Sequence, residues 1–522
     1  MNGESSFIKR YSRAQWSFFW AGVTFGIAQI VYMLGLWIDK AASGGEPTLK
    51  PITVTTDLGK MFRGLEVSIY RLFDLPDFEL YGKAADGISA VGGAFVPGIG
   101  WPIVGMIIGG IIVARMEREG RGWAYYPPKV LLISFIGGAI FSYGTRLAGG
   151  CTLNHLMGGI PLMNIHSFVT VIFMALGGAA GFFFLGKAGM APYFKHQETR
   201  NYVCGNDPGE AATCPPDKPT GRRNPMFWAG LVFALSFMGV ALWGGFFNPE
   251  SLQHLKDGEL QAFSKSVEAK DWFYVLVTLT AGIIGGIGLA KSGMGTECAL
   301  VSWEAGTMMK KNDFAYAKLG VPRITRTLMR SYLPLIGLMA HWVVMLAFIV
   351  IAWFLFDVAP GFSGSLKYQL TAGNLIGGLL LGFGAVSLIG CEIRSYMRLG
   401  MGYLNTMVGF MGFAIGYLPF TLFYDQHKEF LSQTLMVETY HWYELFSPNS
   451  ELGQKIILAI WWVIIFWGLF KMLKAGARNT GASIHSLINK STEDVQRELD
   501  QQAKQSGGKA NGVPVPAPVP VN

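Results

Sequence analysis

Long, unbroken runs of apolar residues recur along the chain and alternate with short polar segments. A run of about 20 apolar residues is what an α-helix needs to cross the hydrocarbon core of a bilayer. We therefore expect an all-α polytopic membrane protein. Its ten predicted spans are residues 16–38, 95–114, 130–150, 166–186, 226–248, 273–290, 332–356, 372–390, 402–424 and 456–474.

Lysine and arginine concentrate in every second loop between these spans. They are dense before residue 16 and in loops 115–129 and 291–331, and they recur at 391–401, whereas loop 425–454 has one lysine against five acidic residues. Cytoplasmic loops are the ones that carry an excess of Lys and Arg. The pattern predicts a multi-pass inner-membrane protein with its N- and C-termini in the cytoplasm.

An internal repeat organises the apolar pattern. Residues 136–151 read IGGAIFSYGTRLAGGC and residues 376–391 read IGGLLLGFGAVSLIGC, and the two align without a gap at an offset of 240. The loop charges orient the third span from inside to outside and the eighth from outside to inside, so the copies are inverted. Inverted repeats are typical of transporters, which place the substrate near the midplane on broken helices. Spans one to four should correspond to spans six to nine.

The repeat and the polar segments together predict a division of the chain. We expect a cytoplasmic N-terminus at 1–15, a first membrane repeat at 16–190, a polar loop at 191–225, a second membrane repeat with extra spans at 226–474, and a cytoplasmic polar, Pro-rich tail at 475–522.

Composition narrows the function classes. Of 522 residues, 51% are hydrophobic and only 15% are charged, which excludes disorder and makes a conventional soluble enzyme improbable. The net charge of +8 lies in the loops, which indicates membrane orientation and no nucleic-acid partner. Metalloprotease, nucleophile-elbow and dinucleotide motifs are missing from the sequence, so we expect no metal or cofactor.

Each copy of the repeat ends in Gly-Cys. Gly150 precedes Cys151 and Thr152 in the first copy, and Gly390 precedes Cys391 in the second. Glycine-rich breaks free backbone groups, which a membrane tolerates only where protein or a cavity satisfies them. A small buried thiol is more often inert, but matching breaks favour a functional role.

Basic groups accompany both breaks. His155 follows Cys151 by four residues and Arg394 follows Cys391 by three, which is the spacing of one helical face, while Arg146 precedes Cys151. Ionisable groups at membrane depth are functional candidates by default. The alternatives are a packing histidine at 155 and, for Arg394 with Arg398, markers of a cytoplasmic helix end.

Three further cysteines complete the set. Cys298 lies after the sixth span in KSGMGTECAL and is flanked by Glu297, as Cys391 is flanked by Glu392. Cys204 and Cys214 lie ten residues apart in a polar loop without a second pair for zinc, so we assign them a loop role.

The break motifs resemble those of the YeeE/YedE family of sulfur-transport membrane proteins. That family carries G-x-R-x-x-G-G-C-T-x-x-H-type segments, matched here from Gly144 to His155, and a second-half G-F-G followed by G-C-P-x-R, matched at 382–384 and 390–394. The chain departs in having no cysteine after the first span and Glu392 in place of the proline.

The resemblance implies import of thiosulfate or a related sulfur or selenium anion, handed along cysteines and supplied to a TusA-like sulfur carrier. We predict a substrate path at the interface of the repeats that comprises Arg146, Gly150, Cys151, Thr152, His155, Glu297, Cys298, Gly390, Cys391, Glu392 and Arg394. Glu297 and Glu392 could balance charge or couple protons.

Two other function classes remain as alternatives. A membrane sulfurtransferase that holds a persulfide would need one activated cysteine with an adjacent base, not three cysteines spread over both halves. A structural subunit of a larger complex would not need inverted Gly-Cys breaks. We therefore expect a transporter and not an enzyme.

Overall fold

The computed structural model describes most of the membrane part of the chain. The described residues are 15–42, 44–55, 57–59, 61–62, 99–117, 128–187, 253–256, 259–262, 272–295, 323–361, 370–388, 390–433, 435 and 440–505.

Helices dominate these residues, with one short antiparallel hairpin formed by β1 (Gln253–Lys256) and β2 (Glu259–Ala262). The helices are α1 (Phe18–Ala42), α2 (Trp101–Glu117), α3 (Pro128–Ala148), a π-helix (Leu153–Gly159), α4 (Ile165–Lys187), α5 (Trp272–Ser292), α6 (Arg323–Arg330), α7 (Leu333–Phe356), α8 (Ala372–Leu388), α9 (Glu392–Met401), α10 (Leu404–Leu422), α11 (Tyr424–Ser432), α12 (Trp442–Phe446), α13 (Glu451–Thr480), α14 (Ile484–Asn489) and α15 (Thr492–Gln505).

Nine of the ten predicted spans coincide with apolar helices among the described residues. Seven of these segments are long and apolar enough to cross a membrane, and two shorter apolar helices, α2 and α10, match the second and ninth spans. The fifth predicted span, 226–248, lies outside the described residues. The all-α polytopic membrane fold is therefore confirmed.

Two helix pairs form the centre of the bundle, and both are antiparallel. Gly137 of α3 lies against Leu388 near the end of α8, whereas Gly377 near the start of α8 lies against Ala148. In the same way Gly35 of α1 lies against Val277 near the start of α5, whereas Gly288 lies against Thr24.

The remaining neighbours repeat this symmetry. Helix α4 packs along α8 and α10 packs along α3, while α2 packs along α5 and α7 packs along α1. All four of these contacts are parallel; for instance, Gly382 of α8 lies against Met174, and Gly412 of α10 against Phe135. Exchanging α1 with α5, α2 with α7, α3 with α8 and α4 with α10 therefore reproduces the packing. This is the packing of two inverted copies, with the correspondence that the repeat predicts.

Close backbone approach holds these pairs together. Added Cβ atoms at Gly138, Gly177 and Gly382 would collide with backbone carbonyls of the facing helix. In a bilayer, where apolar contact with lipid competes with apolar contact between helices, small residues at such crossings supply the packing.

Two segments outside the spans are also ordered. Residues 391–401, interpreted above as a short cytoplasmic segment, form the buried helix α9, because its glutamate and arginines find partners inside the protein. In the tail, the amide of Asp494 donates to the hydroxyl of Ser491 at 3.2 Å, which caps the start of α15.

Candidate functional site

The two Gly-Cys breaks share an equivalent backbone hydrogen bond. After α3, the amide of Gly150 donates to the carbonyl of Thr145 at 3.0 Å, and after α8 that of Gly390 donates to Ala385 at 2.9 Å. This six-residue bond closes a helix end in the Schellman manner. Helix growth then resumes after each cysteine. The equivalence holds at the offset of 240 residues that the sequence repeat predicts.

The segments after the breaks differ. The first continues as a π-helix in which Leu153–Gly159 are all buried. π-Helical turns are rare and are often found at functional sites. The second continues as α9, whose N-cap is Cys391 in an extended conformation.

Cys151 lies at the centre of a buried polar cluster. Its Sγ donates to Oδ1 of Asn154 at 3.1 Å, and the same oxygen accepts from the hydroxyl of Thr55 at 3.1 Å. The thiol also lies within hydrogen-bonding reach of Glu392. Because Glu392 belongs to the second copy, the cluster spans the interface between the two repeats.

Glu392 is fully buried, and its carboxylate accepts hydrogen bonds from two hydroxyl groups. Tyr396, one turn further along α9, donates to Oε1, and Thr55 lies 3.4 Å from Oε2. A buried carboxylate requires such partners, because removing it from water without them is costly. Tyr396 on the same helix and Thr55 from the segment after α1 thus hold the Glu392 carboxylate in place.

Arg146 supplies the positive charge beside it. Its Nη2 donates to the carbonyl of Thr55 at 3.3 Å, and its guanidinium lies 4.2 Å from the ring centroid of Tyr417. The Tyr417 hydroxyl donates to the same Thr55 carbonyl at 2.9 Å. Arg146 and Glu392 interact electrostatically, so the cluster contains one buried cation and one buried carboxylate.

His155 and Thr152 complete the first break. One ring nitrogen of His155, Nδ1, lies 3.1 Å from the hydroxyl of Ser167 on α4, and its ring stands edge-on to that of His166 with centroids 5.4 Å apart. The hydroxyl of Thr152 is buried and has no hydrogen-bond partner among the described residues. It is therefore a donor that an anion could use.

Charged groups surround the second break. Cys391 is buried, and Arg394 and Arg398 of α9 are 2% and 5% exposed. Both arginines line a small cavity together with residues from the C-terminal end of α5 and from the α9–α10 turn. Both arginines are therefore enclosed by the protein, while the side of the membrane on which they lie stays a prediction.

The structure brings together most of the predicted path. Arg146, Cys151 and Glu392 share one cluster, Thr152 and His155 adjoin Cys151 on the first break, and Cys391 and Arg394 adjoin Glu392 on α9. Gly150 and Gly390 shape the two breaks. Glu297, Cys298, Cys204 and Cys214 lie outside the described residues. Among the residues that are described, no group of three acidic, histidine or cysteine side chains could hold a metal ion.

Sequence reasoning missed four members of the cluster. Asn154 could have been found, because it stands three residues after Cys151 in the same motif. Tyr396 could also have been found, since it follows Glu392 by one helical turn. Thr55 and Tyr417 carry no sequence signal, because only tertiary packing brings them to the site.

Two comparisons with known proteins gave matches to parts of this chain. Residues 2–180 match the model of a family described as "Sulphur transport". The chain is also 33% identical over 78 residues to the "Thiosulfate transporter TsuA" of Spirochaeta thermophila, which covers 15% of this chain and 24% of that relative. The match thus spans about a quarter of the relative's length. No solved structure matches the chain. Residues 2–180, which contain the first Gly-Cys break, are therefore similar to this family.

Proposed function

We propose that the protein imports a small sulfur-containing anion, such as thiosulfate, through the cluster around Cys151 and Glu392. The observation that carries the proposal is a buried thiol from one inverted copy within hydrogen-bonding reach of a buried carboxylate from the other. The family match and the name of the thiosulfate-transporting relative support the substrate class.

The cluster has the donors that such an anion needs. A desolvated anion must replace its water shell with hydrogen bonds and positive charge. Cys151 can offer S–H, Thr55 and Thr152 can offer O–H, and Arg146 supplies the charge. Thiols suit the soft terminal sulfur of thiosulfate and would also suit a selenium analogue, so selenium species remain part of the proposal.

Transport would proceed by alternating access. Cys151, Thr152, His155 and Glu392 are all fully buried, so the site is closed to solvent in this conformation. Inverted repeats open such sites by rocking against each other. The hydrogen bonds of Arg146 and Tyr417 to the Thr55 carbonyl would then break and re-form as one copy moves past the other.

The proposed orientation places both termini in the cytoplasm of a cell with an inner membrane. Reporter fusions at Lys474 and Glu438 should then report opposite sides of the membrane. Finding both on one side would contradict the direction of uptake. A TusA-like carrier that collects sulfur on the cytoplasmic side follows from the resemblance to the YeeE/YedE family.

Energetics favour coupling to a cation. Moving a negative charge inward against an inside-negative potential costs about 2.3 kcal/mol per charge at 100 mV, and a dianion costs about twice that. Glu392 could carry a compensating proton, because a neutral carboxyl can remain beside the anion without repelling it.

Uptake in proteoliposomes tests the proposal. Purified protein should accumulate labelled thiosulfate, and unlabelled thiosulfate should compete more strongly than sulfite or selenite. The Cys204→Ser/Cys214→Ser variant is the matched cysteine control and should stay within about twofold, since loop changes typically have small effects. Absence of uptake and of exchange in the unaltered protein would refute the proposed function.

One observation keeps the sulfurtransferase alternative testable. Glu392 beside Cys151 is an adjacent carboxylate of the kind that an activated cysteine would use. Intact-mass spectrometry after incubation with thiosulfate should show no stable persulfide on a transporter. A persulfide on Cys151 that turns over with an acceptor thiol would favour the enzyme.

A further inference from the structure

A line of histidines leads from the first break to segment 440–446. His155 stands beside Ser167 and edge-on to His166, and a backbone bridge places His441 opposite Asn164, two residues before His166. Nδ1 of His441 in turn lies 2.8 Å from the carboxylate of Glu444. These five side chains come from the π-helix, from α4 and from segment 440–446.

The backbone holds segment 440–446 against the first break. The amide of Ile165 donates to the carbonyl of Tyr440 at 3.0 Å, and that of Trp442 donates to Met163 at 2.9 Å. This two-bond bridge sets His441 opposite Asn164, next to the first turn of α4. Backbone hydrogen bonds therefore fix the position of His441 relative to the start of α4.

The line runs from a buried end to an accessible end. His155 is fully buried, His166 and His441 are 7% and 3% exposed, and the Glu444 side chain is 31% exposed. Beside it, the side-chain amide of Asn164 is fully buried and has no hydrogen-bond partner within the described part of the chain. A polar lining at such depth is typical of a route for water or protons.

We propose that His155, His166, His441 and Glu444 conduct protons between the outer surface and the Cys151 site, and that this proton movement drives anion uptake. The proposal rests on the proposed function, because it assigns the coupling ion of the same transporter. Import of a dianion against an inside-negative potential is uphill, so co-transported protons would make it possible.

Each transfer moves one proton and no electrons. An N–H bond on one ring breaks as an N–H bond forms on the next, with Ser167 or water as a bridge where rings do not touch. Imidazole suits this because it can bind a proton at one nitrogen while it releases another from the second. The proton that enters at Glu444 leaves at His155, where Glu392 or the anion can accept it.

The surroundings of the line contain few competing charges. Trp342 of α7 and Trp461 of α13 face the π-helix and donate to the carbonyls of Leu156 and Ile160. The other titratable or charged groups on the neighbouring elements are Cys151 on the first break, His341 on α7, Glu451 and Lys455 at the start of α13, Tyr440 and Tyr443 beside His441, and, at the far ends of α4 and α13, Lys187, Lys471, Lys474 and Arg478.

The test compares driven uptake with exchange in proteoliposomes that contain an internal pH-sensitive dye. An inward proton gradient should drive labelled thiosulfate into the vesicles and acidify the lumen as thiosulfate enters. His441→Gln and His166→Gln should each reduce driven uptake and lumen acidification by at least about tenfold, since proton-transfer groups typically contribute that much or more. Thiosulfate exchange, which needs no net proton movement, should stay within about twofold.

His427→Gln is the matched control. His427 bonds to the Tyr143 hydroxyl at 2.8 Å on α11, away from the line, so driven uptake should be retained. Retained driven uptake and acidification in both His441→Gln and His166→Gln would overturn the proposal. So would uptake in the unaltered protein that follows a sodium gradient and ignores the proton gradient. Loss of exchange as well as uptake in the unaltered protein would instead reject the proposed function itself.

Discussion

The two Gly-Cys breaks close with an equivalent backbone hydrogen bond but differ in the side chains that follow the cysteine. Both close their helix with the same six-residue bond and bury their cysteine, at positions 240 residues apart. The first break continues with neutral polar side chains such as Asn154 and His155, whereas the second continues with Glu392, Arg394 and Arg398. The same closing bond is thus followed by a thiol beside neutral polar groups in the first break and by a thiol beside charged groups in the second.

This difference makes the two sides of the proposed transport site unequal. Identical breaks would present the same site to both sides of the membrane, since the copies are inverted. Here the thiol cluster of the first break is next to the line of histidines, while the arginines of the second break line the small cavity at the end of α5. An anion would therefore meet different surroundings on either side of Glu392.

The largest expected effect comes from removing the cation of the first break. Arg146→Met removes the buried positive charge that interacts with Glu392 and the guanidinium bond to the Thr55 carbonyl, and losing a hydrogen bond from a charged group costs about 1.5–3 kcal/mol. Uptake should be lost and the thermal unfolding midpoint in detergent should fall. Val386 occupies the equivalent position in the second copy, which shows that the scaffold itself does not need a charge there.

A double variant checks the reason for that loss. Arg146→Met combined with Glu392→Gln should be more stable than Arg146→Met alone, because the amide carries no charge to compensate. The exposed Arg497→Ala serves as the control for a lost arginine. An unchanged unfolding midpoint in Arg146→Met would mean that the pair does not hold the two copies together.

The next effect concerns the thiols. Cys151→Ala should reduce uptake by about 5- to 150-fold, which corresponds to about 1–3 kcal/mol for a lost polar contact in a desolvated site. Cys391→Ala should also reduce it, while the folded fraction of both variants stays normal because the side chains differ little in volume. Initial rates normalised to membrane protein measure this. Full activity in the double variant would end the thiol path and leave a charge-only transporter.

A smaller effect on uptake is expected from the glycines that precede the two cysteines, Gly150 and Gly390. A methyl group on Gly150 would lie 2.7 Å from Cβ of Asn154, whereas one on Gly390 would meet nothing closer than 3.6 Å. Gly150→Ala must therefore push Asn154 away from the thiol, and overpacking of this kind typically costs about 1–3 kcal/mol. We expect lower uptake in Gly150→Ala and nearly normal uptake in Gly390→Ala. Equal losses in both would show that glycine is needed for backbone freedom and not for space.

How far the sequence predicts this molecule depends on which interactions are local. Span positions, the inverted repeat and the Gly-Cys breaks follow from hydrophobic runs, loop charge and a gapless repeat. Asn154 and Tyr396 lie one turn from predicted site residues and were within reach of the same reasoning. Thr55, Tyr417 and His441 were not, because the chain brings them to the site over more than 90 residues and nothing in their neighbourhood marks that packing.

The smallest expected effect concerns segment 440–446, which lies outside the membrane helices and is bonded to the backbone next to the first break. Burial alone would raise the pKa of Glu444, but hydrogen bonds from the His441 ring and from the amides of His441 and Tyr440 outweigh it and lower the pKa. A lowered carboxyl pKa adds stability above the pKa of the unfolded chain, and that stability is lost as the pH falls through the lower folded value. Glu444→Gln should therefore reduce stability at neutral pH by about 0.5–1.5 kcal/mol. The difference in unfolding midpoint between Glu444→Gln and the unaltered protein should shrink as the pH is lowered below the ordinary carboxyl range, about pH 4. A difference that stays constant from neutral to acidic pH would indicate that the glutamate acts by shape, and that segment 440–446 is held to the first break by its backbone bonds alone.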